Sequence, residues 1–421
     1  MSRISGGSRQ ELSLYKLQAL LDYTSILGKE ATPALLLDRF KQVIEEDLDI
    51  DRILFYIKEE QGWTLLLNSG FGPEQVARID VERDLLQYRD TAVMANAGTV
   101  FPEEIDVVIP ITQNEEVRAY VLLGDTHDER RGVSPIIKHL PFAQTLSSIS
   151  FVALENFKLV AQAIREEEIR AQLRLAANLQ RMLIPKTEEL PHLPGVSIAS
   201  CYQPFYEVGG DYFDALALDE RTLGFCMADV SGKGVASALL MTNFQANFRA
   251  HLDTKRSLEE LVHRLNRQVI RLAKDDLFVT LFVGRYDCCT GCLEYVNAGQ
   301  NPPLFYDATT GEIVQLKSTT TGVGMLEPMP HVQARSIRIE HSSTLFCYTD
   351  GLVEFRKNGH EVYCTQSITD LMPLHNTPHE LVEAIMARTK AEEREGERQV
   401  FDDVSMLALH FEPCEGPDEN C

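Results

Sequence analysis

No stretch of the 421-residue chain approaches the ~20 uninterrupted apolar residues that a membrane-spanning helix needs. The first ten residues, M-S-R-I-S-G-G-S-R-Q, lack the apolar core of a signal peptide, so a cytoplasmic protein is expected. No cysteine precedes Cys201, and the nine that follow are odd in number and scattered over strand-like segments. Reduced thiols suit that distribution better than a disulfide framework. Cys288, Cys289 and Cys292 cluster in D-C-C-T-G-C, but no second pair stands at zinc-ligand spacing, so the cluster reads as a turn between strands. His331, His341 and the remaining histidines likewise make no metal-spaced set. Positive charge is scarce: 40 Lys and Arg stand against 63 Asp and Glu, a net charge of -23. A nucleic-acid partner is excluded on that ground, because binding phosphate backbones depends on fields of Lys and Arg.

An apolar content of 44% is enough for real cores, and the length suits two or three domains. The most informative stretch runs from Val208 to Leu240. It holds two acid-bearing turns, V-G-G-D-Y-F-D and A-D-V-S-G-K-G, separated by one short apolar strand. Each sets a carboxylate beside glycines that let backbone approach closely, as a small, hard, oxygen-seeking cation requires. A Mg²⁺ or Mn²⁺ site is expected here.

In the N-terminal half, residues 1–9 read as a Gly/Ser-rich tail. Helices are expected over Leu12–Leu27 and from Pro33 to about Leu48. Arg52–Ile57 pairs with Trp63–Leu67 and Val107–Ile111 with Val117–Leu123 as hairpins, with an irregular segment Phe71–Val100 between. Helix, helix, hairpin, irregular segment, hairpin and a closing helix resemble a GAF domain. That resemblance implies a sensory or dimerising α+β module, with or without a ligand pocket under the irregular segment.

From about Ile136 to Met182 the pattern is helical apart from Pro141, which suits a first turn or a kink. A heptad runs through Phe157, Ala161, Ile164, Glu168, Ala171, Leu175, Asn178 and Met182, with two polar members, so any coiled coil is weak. A plain amphipathic connector is the other reading. Ile184-Pro185 ends the helix, and the loop through Pro191 and Pro194 marks a boundary. The domains expected are 10–150, a helical linker 151–185, and 196–412.

Beyond Val196 strands are dense: Ser197–Tyr202, Asp211–Leu218, Thr222–Ala228, Val279–Asp287, Leu293–Asn297, Pro303–Tyr306, Ile313–Leu316, Ala334–Ile339, Thr344–Tyr348 and Val404–Phe411. Helical patterns occupy Val235–His251, Leu258–Lys274 and Pro378 to about Arg394. Two largely antiparallel sheets with flanking helices fit that inventory. Asp211, Asp229, Asp350 and the pair Asp402 and Asp403 each stand where a strand meets a turn, so one rim can collect them.

The series G-G-D-Y-F-D, A-D-V-S-G-K-G-V-A-S-A-L-L-M, F-V-T-L-F, N-A-G-Q-N-P-P-L, Y-T-D-G-L-V-E and F-D-D-V-S resembles the SpoIIE-type branch of the metal-dependent PPM serine/threonine phosphatases. The resemblance implies an α+β chain: a GAF-like domain, a weak coiled-coil linker and a PPM-type α-β-β-α sandwich of two antiparallel sheets. Two Mn²⁺ or Mg²⁺ ions are implied between the sheets. By position, Asp229 bridges them with the carbonyl of Val230 on one; Asp211 belongs to the second metal, Asp350 and Asp402 to the first. Asp403 and Asp214 match acidic positions in the motifs and are taken as acids behind the ligands or as local hydrogen-bond partners. Lys233 contacts phosphate or merely solvent, and Gln300 stands where the family often has histidine. No C-x5-R loop is present, since Cys364 has no arginine suitably downstream, which agrees with metal-assisted hydrolysis.

The substrate implied is phosphoserine or phosphothreonine on a STAS-domain anti-sigma-factor antagonist. A homodimer through the GAF-like domain and linker is implied too, with a small molecule or protein as signal. The switch would be Val235–Arg249 together with the stretch ending at Ile184. Alternatives from other classes are a catalytically silent phosphatase fold that works by binding, and a chain that is chiefly a ligand sensor.

Overall fold

The computed structural model describes residues 18, 20, 21, 23, 32–94, 105–124, 135–273 and 276–413. The expected tails, residues 1–9 and most of 412–421, and most of the helix expected over 12–27 lie outside them. The chain divides into two compact units, 1–167 and 168–421, a division that falls inside the expected linker.

The first unit opens with helix α1 (Pro33–Gln42), whose start is fixed by Thr32 accepting from the Leu35 amide and by proline in the first turn. Val43–Asp47 continues it as a π turn. Strands β1 (Arg52–Glu59), β2 (Gly62–Ser69), β3 (Ala92–Val93), β4 (Val107–Gln113) and β5 (Glu116–Gly124) form one antiparallel sheet in the order β2-β1-β5-β4-β3. Alternation along β1 sends Ile53, Phe55 and Ile57 to a core shared with α1. Leu54 and Tyr56 go to the opposite face, under the irregular segment. There Phe71, Val81, Leu85 and Tyr120 pack in. A cavity of about 530 Å³ in this unit lies elsewhere, lined by Gln113 and by residues from Ser148 to Leu159.

Helix α2 (Pro135–Arg181) is 47 residues long and carries Pro141 within it, six residues past its start. Ile136, Phe142, Ala143, Leu146, Phe151 and Leu154 lie in the first unit's core, while the expected heptad positions from Ala161 to Met182 are exposed. Near the helix end the buried residues are Ala177 and Gln180 instead.

In the second unit two five-stranded sheets, antiparallel at every pairing, stack face to face. One runs β13-β10-β9-β8-β7, the other β12-β11-β14-β17-β6. Their strands are β6 (Val196–Gln203), β7 (Asp211–Ala217), β8 (Thr222–Val230), β9 (Val279–Asp287), β10 (Cys292–Ala298), β11 (Leu304–Asp307), β12 (Ile313–Gln315), β13 (Arg335–Arg338), β14 (Ser343–Tyr348) and β17 (Val404–Phe411). Helices α3 (Val235–His251) and α4 (Leu258–Ala273) pack with the first sheet. Helix α5 (Pro378–Arg394) covers the second. Period-two alternation builds these layers: Leu345 and Cys347 of β14 share the core between the sheets with Leu407 and Leu409 of β17. Phe346, Tyr348, Met406 and Ala408 face α5 with Leu381 and Ile385. On α4, Leu258, Leu261, Val262, Leu265 and Val269 form the buried stripe, each contributing about 1.5–3 kcal/mol.

A two-stranded ribbon, β15 (Glu354–Lys357) with β16 (His360–Tyr363), was not expected from the sequence. Its turn is Asn358-Gly359, both at positive φ, the residue pair a tight hairpin prefers.

Candidate metal and phosphoryl-transfer site

Asp211 is the first residue of β7 and Asp229 the penultimate residue of β8, and the antiparallel register pairs them directly. Both carboxyls are pushed well above the usual range, first by burial and then by neighbouring carboxylates, Asp229 and Asp403 around Asp211, Asp350 and Asp402 around Asp229. Asp350 opens a helical turn, Asp350–Val353, directly after β14. Burial, Asp402 and Glu354 push it up to about 6. All four acids named from the sequence as ligands therefore belong to one electrostatic cluster at neighbouring strand ends.

Hydroxyls of the second sheet steer the first sheet's acid. Thr349 Oγ1 and Ser405 Oγ donate to Asp211 Oδ2 at 2.7 and 2.5 Å, and the Ser405 amide donates to Thr349 Oγ1 at 3.0 Å. Sequence reasoning passed over both residues, although they stand inside the quoted motifs Y-T-D-G and D-D-V-S. Asp403 holds the preceding loop: its Oδ1 accepts from the Phe205 amide at 2.8 Å and its Oδ2 from the Gly210 amide at 2.9 Å. From α2, the Gln180 amide side chain clamps Gly209, donating to its carbonyl at 2.7 Å and accepting from its N–H at 3.1 Å.

Close backbone approach explains the glycines. A Cβ at Gly210 would lie 2.8 Å from the Val230 carbonyl oxygen and 3.4 Å from Asp229 Oδ1, so a side chain there would fill the cradle that brings the two together. The pocket mouth is lined by Tyr206, Gly210, Asp229, Lys233, Asp402 and Asp403, among others. Asp211 lies 2% exposed and is not among the lining residues.

The structure gives Lys233 and Asp214 definite protein partners. Lys233 Nζ pairs with Asp402 Oδ2 at 2.7 Å and donates to the Phe401 carbonyl at 2.7 Å. Asp214 stands three residues after Asp211, so the strand's period sends it to the opposite face of β7. There it accepts from Arg249 Nε of α3 at 2.6 Å and from the Tyr212 hydroxyl. It is a local hydrogen-bond partner away from the acidic cluster. Gln300 Oε1 accepts from Thr280 Oγ1 at 2.7 Å, and Thr280 pairs with Asp229 across β8 and β9, so Gln300 supports that strand.

Residues 219–412 match the family model for Stage II sporulation protein E (SpoIIE). The C-terminal unit is a SpoIIE/PP2C-type phosphatase domain. Over 195 residues the chain is 24% identical to phosphoserine phosphatase RsbU of Bacillus subtilis, covering 46% of this chain and 57% of that protein. It is 26% identical over 290 residues to protein IcfG of Synechocystis sp., covering 62% and 45%. The chain thus spans about half the length of the curated relatives it matches. The solved SiaA-PP2C domain of Pseudomonas aeruginosa superposes with a TM-score of 0.51 at 19% identity, covering 59% of this chain and all of that one. The SpoIIE-type fold accounts for the paired sheets and for the acids at one end of them.

The donors of this SpoIIE-type domain fit hard divalent cations in kind: four carboxyl groups and a main-chain carbonyl, all oxygen, with Asp211 and Asp229 each raised by burial and by neighbouring acids. As placed, protein partners hold them, Asp402 by Lys233 and Asp211 by Thr349 and Ser405. Among the described residues no group of three or more His, Cys, Asp or Glu side chains is set to hold an ion.

Proposed function

We propose that this chain is a metal-dependent protein phosphatase acting on phosphoserine or phosphothreonine. The observation that carries the reading is the direct pairing of buried Asp211 with Asp229, joined by Asp350 and Asp402. Two carboxylates that close cannot both ionise in a dry site without cations. Asp229 would lie between two Mn²⁺ or Mg²⁺ ions, the Val230 carbonyl on one, Asp211 on the second, and Asp350 and Asp402 on the first. Such ions lower the pKa of water and offset phosphoryl charge.

The protein's own groups do the rest. Thr349 and Ser405 fix one oxygen of Asp211 and leave the other outside their hydrogen bonds. Asp403 and Gln180 hold Gly209 and Gly210 so that the Val230 carbonyl stays close. The phosphoryl group passes to water and the serine or threonine hydroxyl leaves, with no covalent enzyme intermediate.

By family resemblance the substrate is a phosphorylated STAS-domain anti-sigma-factor antagonist in the cytoplasm. The likeness to phosphoserine phosphatase RsbU supports the phosphoserine part of that reading. Among the described residues no helix is long and apolar enough to cross a membrane. The first unit's sheet, in the order β2-β1-β5-β4-β3, supports a GAF-like sensor. The exposed apolar residues of α2, among them Leu159, Ile164, Leu175 and Leu179, support a homodimer through the linker. A ligand or protein signal at the first unit would act through that dimer.

One observation favours a second reading, a silent phosphatase fold that works by binding: the acids are held by protein partners. Mn²⁺-dependent hydrolysis of p-nitrophenyl phosphate and of a phosphorylated STAS-domain protein by the full chain, beside Asp350→Asn, separates the two. Turnover lost in the variant supports the enzyme. No turnover by either form, with Asp229→Asn still binding the STAS protein at full affinity, supports the binder.

A further inference from the structure

Lys233 is the one basic residue among those lining the pocket mouth. It stands between Gly232 and Gly234, both in the left-handed region at φ 84° and 87°, a turn that residues with side chains seldom make. Its ammonium lies 5.4 Å from the ring centre of Phe401 and 6.0 Å from that of Phe205, so two aromatic faces define where the charge rests. The side chain is nevertheless 42% exposed. An ammonium has three N–H donors. Two are engaged, by the Phe401 carbonyl and Asp402 Oδ2, which leaves one for an acceptor entering from solvent.

The charged groups beside it in the lining are all acids: Asp229, Asp402 and Asp403. A phosphoryl dianion coming to that mouth is repelled by each of them and attracted by Lys233 alone among the lining side chains. The start of α3 adds a field of the same sign, since Gly234 is its N-cap and offers no side-chain hydrogen bond to the first turn. That feature alone marks no site; Lys233 does. Asp402 is the acid that the ammonium pairs with directly, so whatever else takes up the Asp402 carboxylate frees the lysine for another anion.

We propose that Lys233 is the phosphate-recognition residue of this pocket, with Asp402 and a phosphoryl oxygen competing for its ammonium. The inference deepens the phosphatase reading and rests on it. It assigns the phosphoryl group a contact from the protein itself, separate from the carboxylates that would hold the ions.

The test is calorimetric titration of inorganic phosphate into the full-length chain in Mg²⁺, for the wild type, Lys233→Gln and Lys233→Arg, with Mg²⁺ titrated separately into each. Loss of one charge-assisted hydrogen bond predicts phosphate affinity down by about tenfold or more in Lys233→Gln, with Lys233→Arg much closer to wild type. Mg²⁺ affinity is expected to stay level or rise in Lys233→Gln, because Asp402 loses a competitor. Unchanged phosphate affinity in Lys233→Gln overturns the inference, as does a wild type that binds no phosphate. An equal fall in Mg²⁺ affinity overturns it too, by reducing Lys233 to a structural partner of Asp402. Lys233-dependent phosphate binding without metal-dependent hydrolysis would sink the phosphatase reading instead and leave the phosphate contact standing.

Discussion

Asp211 faces Asp229 directly across the β7–β8 ladder, one acid on each of two adjacent strand ends. Opposed like charges destabilise a sheet, and burial raises the cost. The arrangement is one that a fold keeps for use, since stability alone would remove it.

Replacing either acid by its amide should therefore divide stability from activity. Asp211→Asn or Asp229→Asn is expected to stabilise the metal-free chain by about 1 kcal/mol, because the repulsion goes and the new amide can donate to the facing carboxylate. The same variants should lose phosphatase turnover by more than about 100-fold, at least the loss seen when groups merely supporting a ligand are changed. Urea denaturation with a chelator present, set beside Mn²⁺-dependent hydrolysis, checks both; variants less stable than wild type without metal would show that no repulsion is stored there.

Gly210 is where the two acidic turns come closest. A methyl group there would sit 2.8 Å from the Val230 carbonyl oxygen, so Gly210→Ala must push β7 from the end of β8. The expected cost is about 1–3 kcal/mol, as for other overpacked sites. Mg²⁺ affinity should fall with it, whereas Gly359→Ala, where an added Cβ meets nothing within 4 Å, should leave Mg²⁺ affinity unchanged. Equal Mg²⁺ affinity in Gly210→Ala and wild type would mean the Val230 carbonyl has no part in the site.

Much of this was legible in the sequence because strand and helix periods are local. The alternation along β14 and β17 and the apolar stripe of α4 could be read residue by residue, and so could the acids at strand ends. What could not be read was pairing. Nothing local tells that Thr349 and Ser405, 56 residues apart, bracket one oxygen of Asp211, or that Lys233 reaches Asp402 from 169 positions away. The place of Asp214 was recoverable: three residues from Asp211 on one strand is an odd step, and parity sends it to the other face. The Asn358-Gly359 hairpin was recoverable as well from its turn pair.

Asp214 is fully buried, and its partner Arg249 is not. Arg249→Ala would strand a carboxylate in the core, at an expected cost of about 2–4 kcal/mol once the exposure of the arginine is allowed for. The double change Asp214→Leu with Arg249→Met should recover most of it, since a buried ion pair is often replaceable by apolar side chains. Chemical denaturation of the two variants decides the point; a double variant as unstable as Arg249→Ala would show that the pair does more than satisfy itself.

Gln180 ties the end of α2 to the turn that precedes Asp211. It is 6% exposed and satisfies both the N–H and the C=O of Gly209, a job no other side chain is placed to take over among the described residues. Gln180→Leu keeps the volume and leaves both backbone groups unpaired, at about 1–3 kcal/mol for each buried group. Because Asp403 still holds the Gly210 amide, the turn should loosen without the domain unfolding. Turnover of p-nitrophenyl phosphate is then expected to fall by about 10–100-fold, the range for groups that orient a ligand through one neighbour. Gln180→Glu keeps the acceptor for the Gly209 N–H and loses the donor to its carbonyl, so it should fall between. Kinetics at saturating Mn²⁺, with thermal melts to confirm folding, test the ranking. If all three proteins turn over alike, a displacement of residues 168–181 cannot reach the site through Gly209, and regulation through the linker would need another route.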